Sequence, residues 1–563
     1  MTAPPRPRAA LVALAAACSL FAAGAPGVLA QAPRPGTGAS PLPVGDVRPV
    51  DTAGLASGLL WAETITPDEL REHAFVLASD SLQGRETGEL GQRRAARYLG
   101  AQMAAMGLPR IGADYTYEQP IAFESSRWDT TGIRVDGREF RWLRTVYALP
   151  NEVSGLEGTF DDALFLGYGI DADGYSDYRA AGDLEGRVGV VLSGEPFGKT
   201  GVSRVTGTAD TSAWSDEGAA LKIAAAERAG LAALLIVSPT LKADALANMP
   251  RIVERGLRAV PPGRRAGGGE PEARSNTVYV DPAVLEALAG RARKRVVRAR
   301  KRIARGGESR PVELAGLLEI TLRPERSRLE GSNVLGYVRG SDESVADQLV
   351  VVSAHYDHLG TRGGAVFNGA DDNASGTSTV LEMAEAMAAA QRAGEGPRRS
   401  VLFLLVSGEE KGLLGSQYYA EHPVFPLEQT VADVNIDMIG RYDEAHADSS
   451  AYIYVIGAGR ISPDLDAVTR AMNEAYSRYE LDYTFDAPDD PNRFYYRSDH
   501  YNFARVGIPS VFFFSGVHED YHRPTDTPDK LDYDKMATVG RHAFLIAWNL
   551  ANREGALNRV AGE

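Results

Sequence analysis

The sequence contains one cysteine in 563 residues, and that residue, Cys18, lies in an apolar N-terminal segment. The rest of the chain has no thiol for disulfides or thiolate ligands, so any metal ion must be held by His, Asp and Glu side chains. An excess of basic residues is also lacking, because 75 acidic residues against 60 basic residues give a formal net charge of -15. Without a net positive field to attract phosphates, the composition argues against a nucleic-acid-binding protein.

Long apolar runs are confined to the N-terminus. Arg6 and Arg8 precede the run AALVALAAACSLFAAGA, and VLA at 28–30 follows as a cleavage-site pattern. The pattern predicts a secretory signal peptide over residues 1–30 rather than a membrane anchor, which needs a longer apolar span. We therefore expect a secreted or periplasmic protein with no membrane association after cleavage.

The amino-acid composition and the predicted secondary structure change along the chain. Residues 31–60 are rich in Pro, Gly and Ala, which predicts a disordered lead-in. Thr66, Pro67 and Glu69 then form a capping box at the start of a predicted helix, and GQRRAARYLGAQMAAMGL predicts a second helix that ends at Gly107.

Between about 155 and 320, short glycine-bounded strands such as LFLGYGI and GRVGVVLSGEP replace the earlier pattern, which resumes at SNVLGYVRG. This change predicts one catalytic α/β domain, formed by residues 61–154 and 321–555, that is interrupted by an inserted module at 155–320.

Acidic and histidine side chains follow several predicted strands. In VVSAHYDHLG, an apolar strand ends in His355, Asp357 and His358. Later strand ends and the loops after them carry further carboxylates and a histidine: Asp371, Asp372, Glu409, Glu410, Asp437 and His522. Because ligands of open α/β sheets bind beyond the carboxyl ends of the strands, we expect these side chains to converge.

Converging carboxylates repel one another unless a cation lies between them. Three carboxylates and two neutral imidazoles carry three negative charges against the four positive charges of two divalent ions, which leaves room for one bound hydroxide. Oxygen and nitrogen donors without thiolate suit two Zn²⁺ ions, with cobalt or manganese as substitutes.

The strings AHYDHLG, GADDNASG, SGEEKGLLGS, NIDMIG and YHRPTDT resemble the zinc exopeptidase family that includes bacterial leucine aminopeptidases and aminopeptidase S. Glutamate carboxypeptidase, transferrin receptor and glutaminyl cyclase are more distant relatives. The resemblance covers residues 66–150 and 325–552, and SLQGRETG and RSDHYNFARVGIPSVFFF extend it. It implies an α/β fold of the phosphorylase/hydrolase-like type, with a mixed central sheet flanked by helices. The inserted segment resembles a β-rich α/β protease-associated domain, which in this family often borders the active-site cleft.

The resemblance also implies a metal ligand set. His355 and Asp437 would bind one zinc ion, and Glu410 and His522 would bind the other. Asp371 would bridge the two ions, and the family precedent implies a cis peptide bond between Asp371 and the next residue.

Other roles follow from the same resemblance. Glu409 matches the general base, Asp357 would orient His355, and Tyr521 matches a tyrosine that stabilises the oxyanion. His358 and His518 match no ligand position, and we expect them to form structural hydrogen bonds.

Together these features predict an exported dinuclear zinc aminopeptidase that uses metal-activated water on peptides with a free N-terminus. Carboxypeptidase or glutaminyl cyclase chemistry on the same scaffold is the alternative, with Arg493 and Arg497 as candidates to hold a terminal carboxylate. A non-catalytic receptor is disfavoured because every expected ligand is present.

The sequence SDH at 498–500 has the residue types of a nucleophile set but lacks a nucleophile elbow, so scaffold or pocket roles are predicted for it. The sequence makes no prediction of the oligomeric state.

Overall fold

The computed structural model describes residues 47–560, apart from residues 53, 151–152, 217–218, 249–251, 253–255, 262–275 and 448. The predicted signal peptide, residues 1–30, and the predicted lead-in up to residue 46 lie outside the described residues. No helix in the described part of the chain is long and apolar enough to cross a membrane.

Residues 47–60 differ from the disordered lead-in that their composition predicts. They include the start of the helix Leu55–Ala62, in which Gly58 lies against the ring of Trp548. The backbone N–H of Arg48 donates to Asp464 Oδ1 at 2.9 Å. The lead-in prediction is therefore wrong here, because small residues allow close packing on the rest of the protein.

The described residues form 21 strands. In chain order they are β1 (Glu118–Val135), β2 (Arg138–Phe140), β3 (Val146–Tyr147), β4 (Leu156–Phe160), β5 (Leu164–Phe165), β6 (Asp171–Ala172), β7 (Tyr175–Ser176), β8 (Val188–Leu192), β9 (Ala233–Val237), β10 (Gly256–Val260), β11 (Asn276–Val280), β12 (Val312–Glu313), β13 (Leu318–Val338), β14 (Leu349–His355), β15 (Thr361–Arg362), β16 (Ala365–Val366), β17 (Ser400–Val406), β18 (Thr430–Ile436), β19 (Tyr452–Ile456), β20 (Glu480–Asp482) and β21 (Ser510–Phe514).

The same residues form 14 α-helices. In chain order they are α1 (Leu55–Ala62), α2 (Pro67–Leu77), α3 (Leu90–Ala105), α4 (Ala213–Asp216), α5 (Ala220–Arg228), α6 (Leu241–Ala247), α7 (Pro282–Ala289), α8 (Arg293–Ala304), α9 (Gly376–Arg392), α10 (Leu414–Glu421), α11 (Ala458–Ile461), α12 (Pro463–Met472), α13 (His500–Ala504) and α14 (Tyr533–Asn552).

The two helix starts predicted near the N-terminus are confirmed. Thr66 is the N-cap of α2, and its Oγ1 accepts a hydrogen bond from the backbone N–H of Glu69 at 3.3 Å. Pro67 occupies the first helical position, where its missing N–H leaves no bond unmade. Helix α3 ends at Ala105, and Gly107 follows with a φ of +77°.

The central sheet is mixed, as predicted. Its strand order is β10-β1-β13-β17-β14-β18-β21-β19-β20, with β2 and β4 pairing outside this path. The four strands β17, β14, β18 and β21 are parallel, whereas β13 and β19 run antiparallel to their parallel neighbours.

Helices cover both faces of the parallel part of this sheet. Val350 and Val352 of β14 face one core that includes residues of α9 and α14, and Val351 faces a second core with Tyr419 and Phe503. Every residue of β14 and β17 is therefore buried, which explains their continuous apolar sequences.

A second body surrounds a six-stranded sheet with the order β12-β5-β8-β9-β11-β3. Its apolar core already includes Ile133, Phe140 and Val146, and it extends to Leu322. The expected boundary at residue 155 therefore lies inside this body. The sequence concealed the boundary because β1 and β13 run without interruption from the central sheet into the second body.

One strand of the inserted segment returns to the central sheet. β10 pairs with β1 in antiparallel register, from Ala122 opposite Val260 to Ser126 opposite Gly256. Leu257 of β10 packs in a cluster with Leu414 of α10. The inserted segment thus forms the edge of the central sheet and contacts the helix that follows Glu410.

Candidate metal centre

The carboxyl ends of the parallel strands meet at one edge of the central sheet, and the predicted site residues lie there. β14 ends at His355, Asp437 directly follows β18, and Glu409 lies three residues after β17. His522 lies in the loop after β21. Because neighbouring parallel strands present the same ends together, residues far apart in sequence become neighbours in space.

The convergence produces two groups of side chains, which we call the first and second clusters. The first cluster comprises His355, Asp372 and Asp437, with His355 Nε2 at 3.3 Å from Asp437 Oδ1 and 3.4 Å from Asp372 Oδ1. The second comprises His522, Asp372 and Glu410, with His522 Nε2 at 3.0 Å from Asp372 Oδ2 and 3.3 Å from Glu410 Oε2. Asp372 thus presents one carboxylate oxygen to each cluster.

The structure places Asp372, and not Asp371, in the bridging position. Asp371 Oδ1 accepts a hydrogen bond from the Gly440 N–H at 2.6 Å, and its Oδ2 lies 3.3 Å from His518 Nε2. The cis peptide bond joins Asp372 and Asn373, so the prediction of a cis bond between Asp371 and Asp372 is wrong by one residue.

Hydrogen bonds that hold the turn explain why Asp372, and not Asp371, lies between the clusters. The backbone N–H groups of Asp371 and Asp372 donate to the carboxylate of Asp526, at 3.0 and 3.2 Å to Oδ2. With the turn fixed in this way, Asp371 contacts His518 and Gly440 while Asp372 contacts the two clusters. His518 therefore has the structural partner that was expected for it.

His358 borders the second cluster, although the sequence comparison gave it no ligand role. Its Nδ1 lies 2.7 Å from Glu410 Oε1 and 3.8 Å from Asp372 Oδ2, and the ring is fully buried. The second cluster therefore has a second imidazole, beside that of His522, that could supply a donor. The sequence HYDH at 355–358 could have indicated this position of His358, because both histidines follow the end of the same strand.

The two adjacent glutamates have opposite electrostatic environments. Burial raises the pKa of Glu409 well above its ordinary value. Burial acts in the same direction on Glu410, but His358 and His522 hold the pKa of Glu410 well below its ordinary value. Glu410 is therefore tied to imidazoles, whereas Glu409 is the carboxylate with a raised affinity for a proton.

The histidines of both clusters are shifted by the carboxylates. Burial would lower the pKa of His355, but Asp437 and Glu409 keep it well above its ordinary value. Burial would also lower the pKa of His522, but hydrogen bonds to Asp372 and Glu410 raise it to about 10. In the part of the chain that the structure describes, no Lys or Arg side chain pairs with Asp372, Glu410 or Asp437. This excess of carboxylate over cation is the environment that a divalent ion fits.

Asp357 contributes through its backbone as well as its side chain. Its carbonyl oxygen lies 3.2 Å from His355 Nδ1, whereas its carboxylate Oδ1 lies 3.8 Å from that nitrogen. The carboxylate accepts hydrogen bonds from Thr87 Oγ1 at 2.7 Å and from the Glu409 N–H at 3.2 Å. Asp357 therefore holds the backbone of Glu409 in addition to facing the ring of His355.

Ser498 supports the first cluster. Its hydroxyl donates to Asp437 Oδ2 at 2.8 Å and accepts from Asn435 Nδ2 at 2.8 Å. The neighbouring Asp499 accepts a hydrogen bond from Ser416 Oγ at 2.5 Å, and burial raises the pKa of Asp499 to about 7. With its hydroxyl engaged in this way, Ser498 has a scaffold role.

Arg85 joins the two backbone segments that carry His355 and Asp372, and sequence reasoning assigned it no role. Its Nε donates to the Tyr356 carbonyl at 2.7 Å, and Nη2 donates to the Gly369 carbonyl at 2.9 Å. The side chain is buried, and this burial lowers the pKa of Arg85 to about 10. Arg85 belongs to the string SLQGRETG, which the family resemblance included. Its role was not predicted because these two contacts are to residues more than 200 positions away in sequence.

A cleft opens onto the clusters. Its charged and imidazole-bearing lining residues are Asp372, Glu409, Asp437, Arg497 and His522. Its aromatic and aliphatic lining residues are Met438, Phe494, Phe512, Phe514, Val517 and Tyr521. The Tyr521 ring stacks on His522 with a centroid distance of 3.8 Å, and burial raises the pKa of Tyr521 well above its ordinary value. Tyr521 therefore faces the second cluster with a protonated hydroxyl.

Comparison with known proteins agrees with this geometry. Residues 333–547 match the sequence model described as peptidase family M28. A probable leucine aminopeptidase of Arthroderma benhamiae is 31% identical over 212 residues, which are 37% of this chain and 55% of that protein. A probable zinc metalloprotease of Pyricularia oryzae is 27% identical over 268 residues, which are 41% of this chain and 51% of that protein. The chain thus spans about half the length of these curated relatives.

A solved structure extends the similarity of fold to nearly the whole chain. The aminopeptidase from Aneurinibacillus sp. strain AM-1 aligns with a TM-score of 0.53 and 19% identity, over 90% of this chain and 98% of that one. At this identity the comparison concerns the fold alone, and it includes the central sheet with its flanking helices.

Proposed function

We propose that the protein is an exported dinuclear zinc aminopeptidase that removes N-terminal residues from peptides, and the match of residues 333–547 to the model of peptidase family M28 supports this proposal. The observation that carries the proposal is the position of Asp372, whose two carboxylate oxygens face two separate histidine–carboxylate groups. A carboxylate shared in this way is suited to two neighbouring cations.

The donor set assigns each ion to one cluster. His355, Asp372 and Asp437 would hold one zinc ion, and His522, Asp372 and Glu410 would hold the other, with cobalt or manganese as substitutes. Zinc held there would supply Lewis-acid polarisation of the scissile carbonyl and would lower the pKa of a bound water to about 7.

Glu409 is the proposed general base. It lines the cleft beside Asp372 and Asp437, and its Oε2 lies 4.0 Å from His355 Nε2. The hydrogen bond from its backbone N–H to Asp357 fixes its place, and its buried carboxylate has a raised affinity for a proton. Glu409 accepts the proton of the attacking water and then donates it to the departing amine.

The remaining groups of the cleft bind and orient the substrate. The free α-amine lies on the side of Asp437, and Tyr521 donates a hydrogen bond to the oxygen that gains charge at the attacked carbonyl. The aromatic and aliphatic residues of the cleft receive the N-terminal side chain, because they bury apolar surface.

A substrate panel with metal analysis tests the proposal. Purified protein is assayed on leucine, alanine and lysine anilides, on their N-acetylated forms and on a carboxyl-terminally blocked dipeptide, with zinc counted by elemental analysis. We expect hydrolysis of the free-amine substrates only, loss of activity on chelation and recovery with zinc or cobalt. Full activity in protein shown to be metal-free, or equal hydrolysis of acetylated substrates, contradicts the proposal.

The inserted segment and the export of the chain belong to the same proposal. We propose that the segment is a protease-associated domain that limits access to the cleft, because β10 packs on α10 directly after the Glu409–Glu410 pair. Mass analysis of the mature protein from the periplasm or medium tests export, and a chain that keeps residues 1–30 in the cytoplasm contradicts it.

A further inference from the structure

Arg497 is a cation in a cleft that also contains three carboxylates. It lines the cleft together with Asp372, Glu409 and Asp437. Its guanidinium carbon lies 4.7 Å from the centroid of the Phe494 ring, which is itself part of the cleft wall. Stacking on an aromatic face orients the planar guanidinium and leaves its N–H edge free to bind a partner.

The structure supplies no acidic partner for this side chain. Among the residues that the structure describes, no carboxylate lies within ion-pair distance of Arg497, which is exposed to solvent. Two other basic residues have acidic partners. Lys411 pairs with Glu86 at 3.2 Å, and Arg441 pairs with Asp520 at 3.1 Å.

Arg497 shares the cleft with residues of both clusters. Asp372 and Asp437 of the first cluster and His522 of the second line the same cleft as Arg497. One small ligand in this cleft can therefore contact both the guanidinium and the clusters. An arginine fork recognises a carboxylate through two parallel hydrogen bonds, which an amide in the same place cannot reproduce.

We propose that Arg497 forms a subsite that binds a carboxylate of the substrate while the clusters hold the scissile amide. The inference rests on the proposed peptidase function and specifies its substrate class. The carboxylate comes either from an acidic N-terminal side chain or from the C-terminus of a dipeptide, and both present the same chemistry to the guanidinium.

The neighbouring Arg493 provides a matched control. It is also exposed, and its guanidinium carbon lies 4.8 Å from the centroid of the Tyr496 ring. It has the same charge and a similar aromatic contact, but it is not among the residues that line the cleft. A general effect of positive charge on the protein would appear equally in Arg493→Gln and Arg497→Gln.

The experiment measures kcat/KM for the zinc-loaded wild type and both variants on two substrate pairs. Glutamyl anilide against leucyl anilide tests the side-chain source, and leucyl-glycine against leucyl-glycine amide tests the terminal source. A lost hydrogen bond to a charged group corresponds to about 10- to 100-fold. We expect Arg497→Gln to lower the ratio within one pair by that factor, and Arg493→Gln to change neither ratio.

A binding measurement separates this inference from the proposed function. Calorimetric binding of free glutamate to the zinc-loaded proteins needs no turnover, and we expect Arg497→Gln to weaken it while Arg493→Gln does not. If the wild type cleaves no anilide but binds glutamate through Arg497, the proposed function fails and the subsite stands. Unchanged ratios together with unchanged glutamate binding in Arg497→Gln overturn the subsite, whatever the turnover of the wild type.

Discussion

The two clusters share Asp372 and have similar contact distances, but they differ in burial. The His355 side chain is 1% exposed, whereas the His522 side chain is 36% exposed. His522 also has a φ of +56°, a backbone conformation that residues other than glycine rarely adopt. The histidine of the first cluster is thus buried inside the protein, whereas the histidine of the second cluster is exposed at the cleft.

The supports of the two clusters differ in the same sense. In the first cluster, Ser498 holds Asp437 by a hydrogen bond, and the Thr377 hydroxyl donates to the His355 carbonyl at 2.7 Å. In the second cluster, the His522 ring stacks on the Tyr521 ring, and Glu410 forms a buried contact with His358. We therefore expect the second cluster to exchange a bound ion more readily than the first.

The largest expected effect follows from removing what the clusters share. Asp372→Asn takes a charged donor from both, so zinc affinity should fall at both clusters and activity should be abolished. Changes in residues that only support metal ligands cost about 10- to 100-fold in metal affinity, so the loss here should be at least that large. Zinc titration by calorimetry measures it.

The matched control for this variant is Asp371→Asn, which changes the neighbouring carboxylate. Its contacts are the Gly440 N–H and His518 rather than the clusters. It should lower thermal stability while zinc stoichiometry stays the same. If Asp371→Asn loses zinc and Asp372→Asn keeps it, our assignment of the bridging residue is reversed.

Glu409 and Glu410 give the next largest effect. Glu409→Gln keeps the shape of the side chain but cannot accept a proton, and general-base catalysis contributes about 100- to 10,000-fold to turnover. Turnover should fall by that factor with zinc content unchanged. Glu410→Gln should instead lose zinc from the second cluster as well as activity.

Zinc stoichiometry and turnover on the two variants distinguish these roles. Full zinc content in Glu410→Gln, combined with zinc loss in Glu409→Gln, would exchange the base and the ligand.

A smaller effect tests the difference between the histidines. His355→Ala leaves the first cluster without an imidazole, so its zinc should be lost. His522→Ala should keep weakened binding at the second cluster, because His358 Nδ1 lies 2.7 Å from Glu410. Stepwise competition with a chelator reports both affinities, and the double variant with His358→Gln should remove the residual binding. Equal zinc loss in the two single variants would show that His358 supplies no donor.

The smallest effect concerns a histidine outside both clusters. Burial would lower the pKa of His446, but hydrogen bonds to Asp443 and Asp482 raise it to about 9. Because the folded-state pKa lies above the ordinary value near 6.5, the stabilisation is complete below about pH 6.5 and is lost as the pH rises through about 9. The free energy of unfolding of the wild type should therefore fall toward that of His446→Gln over this window.

Urea denaturation of the two proteins between pH 6 and 10 measures this difference. Added zinc should leave the difference unchanged, in contrast to histidines of the clusters. A constant difference in the free energy of unfolding between the two proteins across the whole pH range would contradict the raised pKa of His446.

The sequence predicted the parts of the structure that depend on local pattern. Continuous apolar runs indicated buried parallel strands, and the residues after them met at one edge because parallel strands end together. The choice between Asp371 and Asp372 was beyond local pattern, because it depends on Asp526, which lies over 150 residues away. The contacts of Arg85 and the return of β10 to the central sheet depend on equally distant partners.

The boundary of the inserted segment was misplaced for a related reason. Composition changes at about residue 155, but the second core begins at Ile133, because a single long strand serves both bodies. The amino-acid composition changes where short glycine-bounded strands begin. It does not change at a domain boundary that lies within one continuous strand.

The paired strands β1 and β13 have a consequence for how such a chain can evolve. Ser126 lies opposite Arg326, so the chain leaves the central sheet and returns to it on neighbouring strands about 4.8 Å apart. A coding segment can be gained or lost at such a point and sealed by a two-residue hairpin, without rerouting another connection. β10 limits this freedom, because excision would uncover the edge of β1, and an uncovered edge strand promotes aggregation. A lineage that discarded the segment would therefore need a new charged or proline-containing edge at β1.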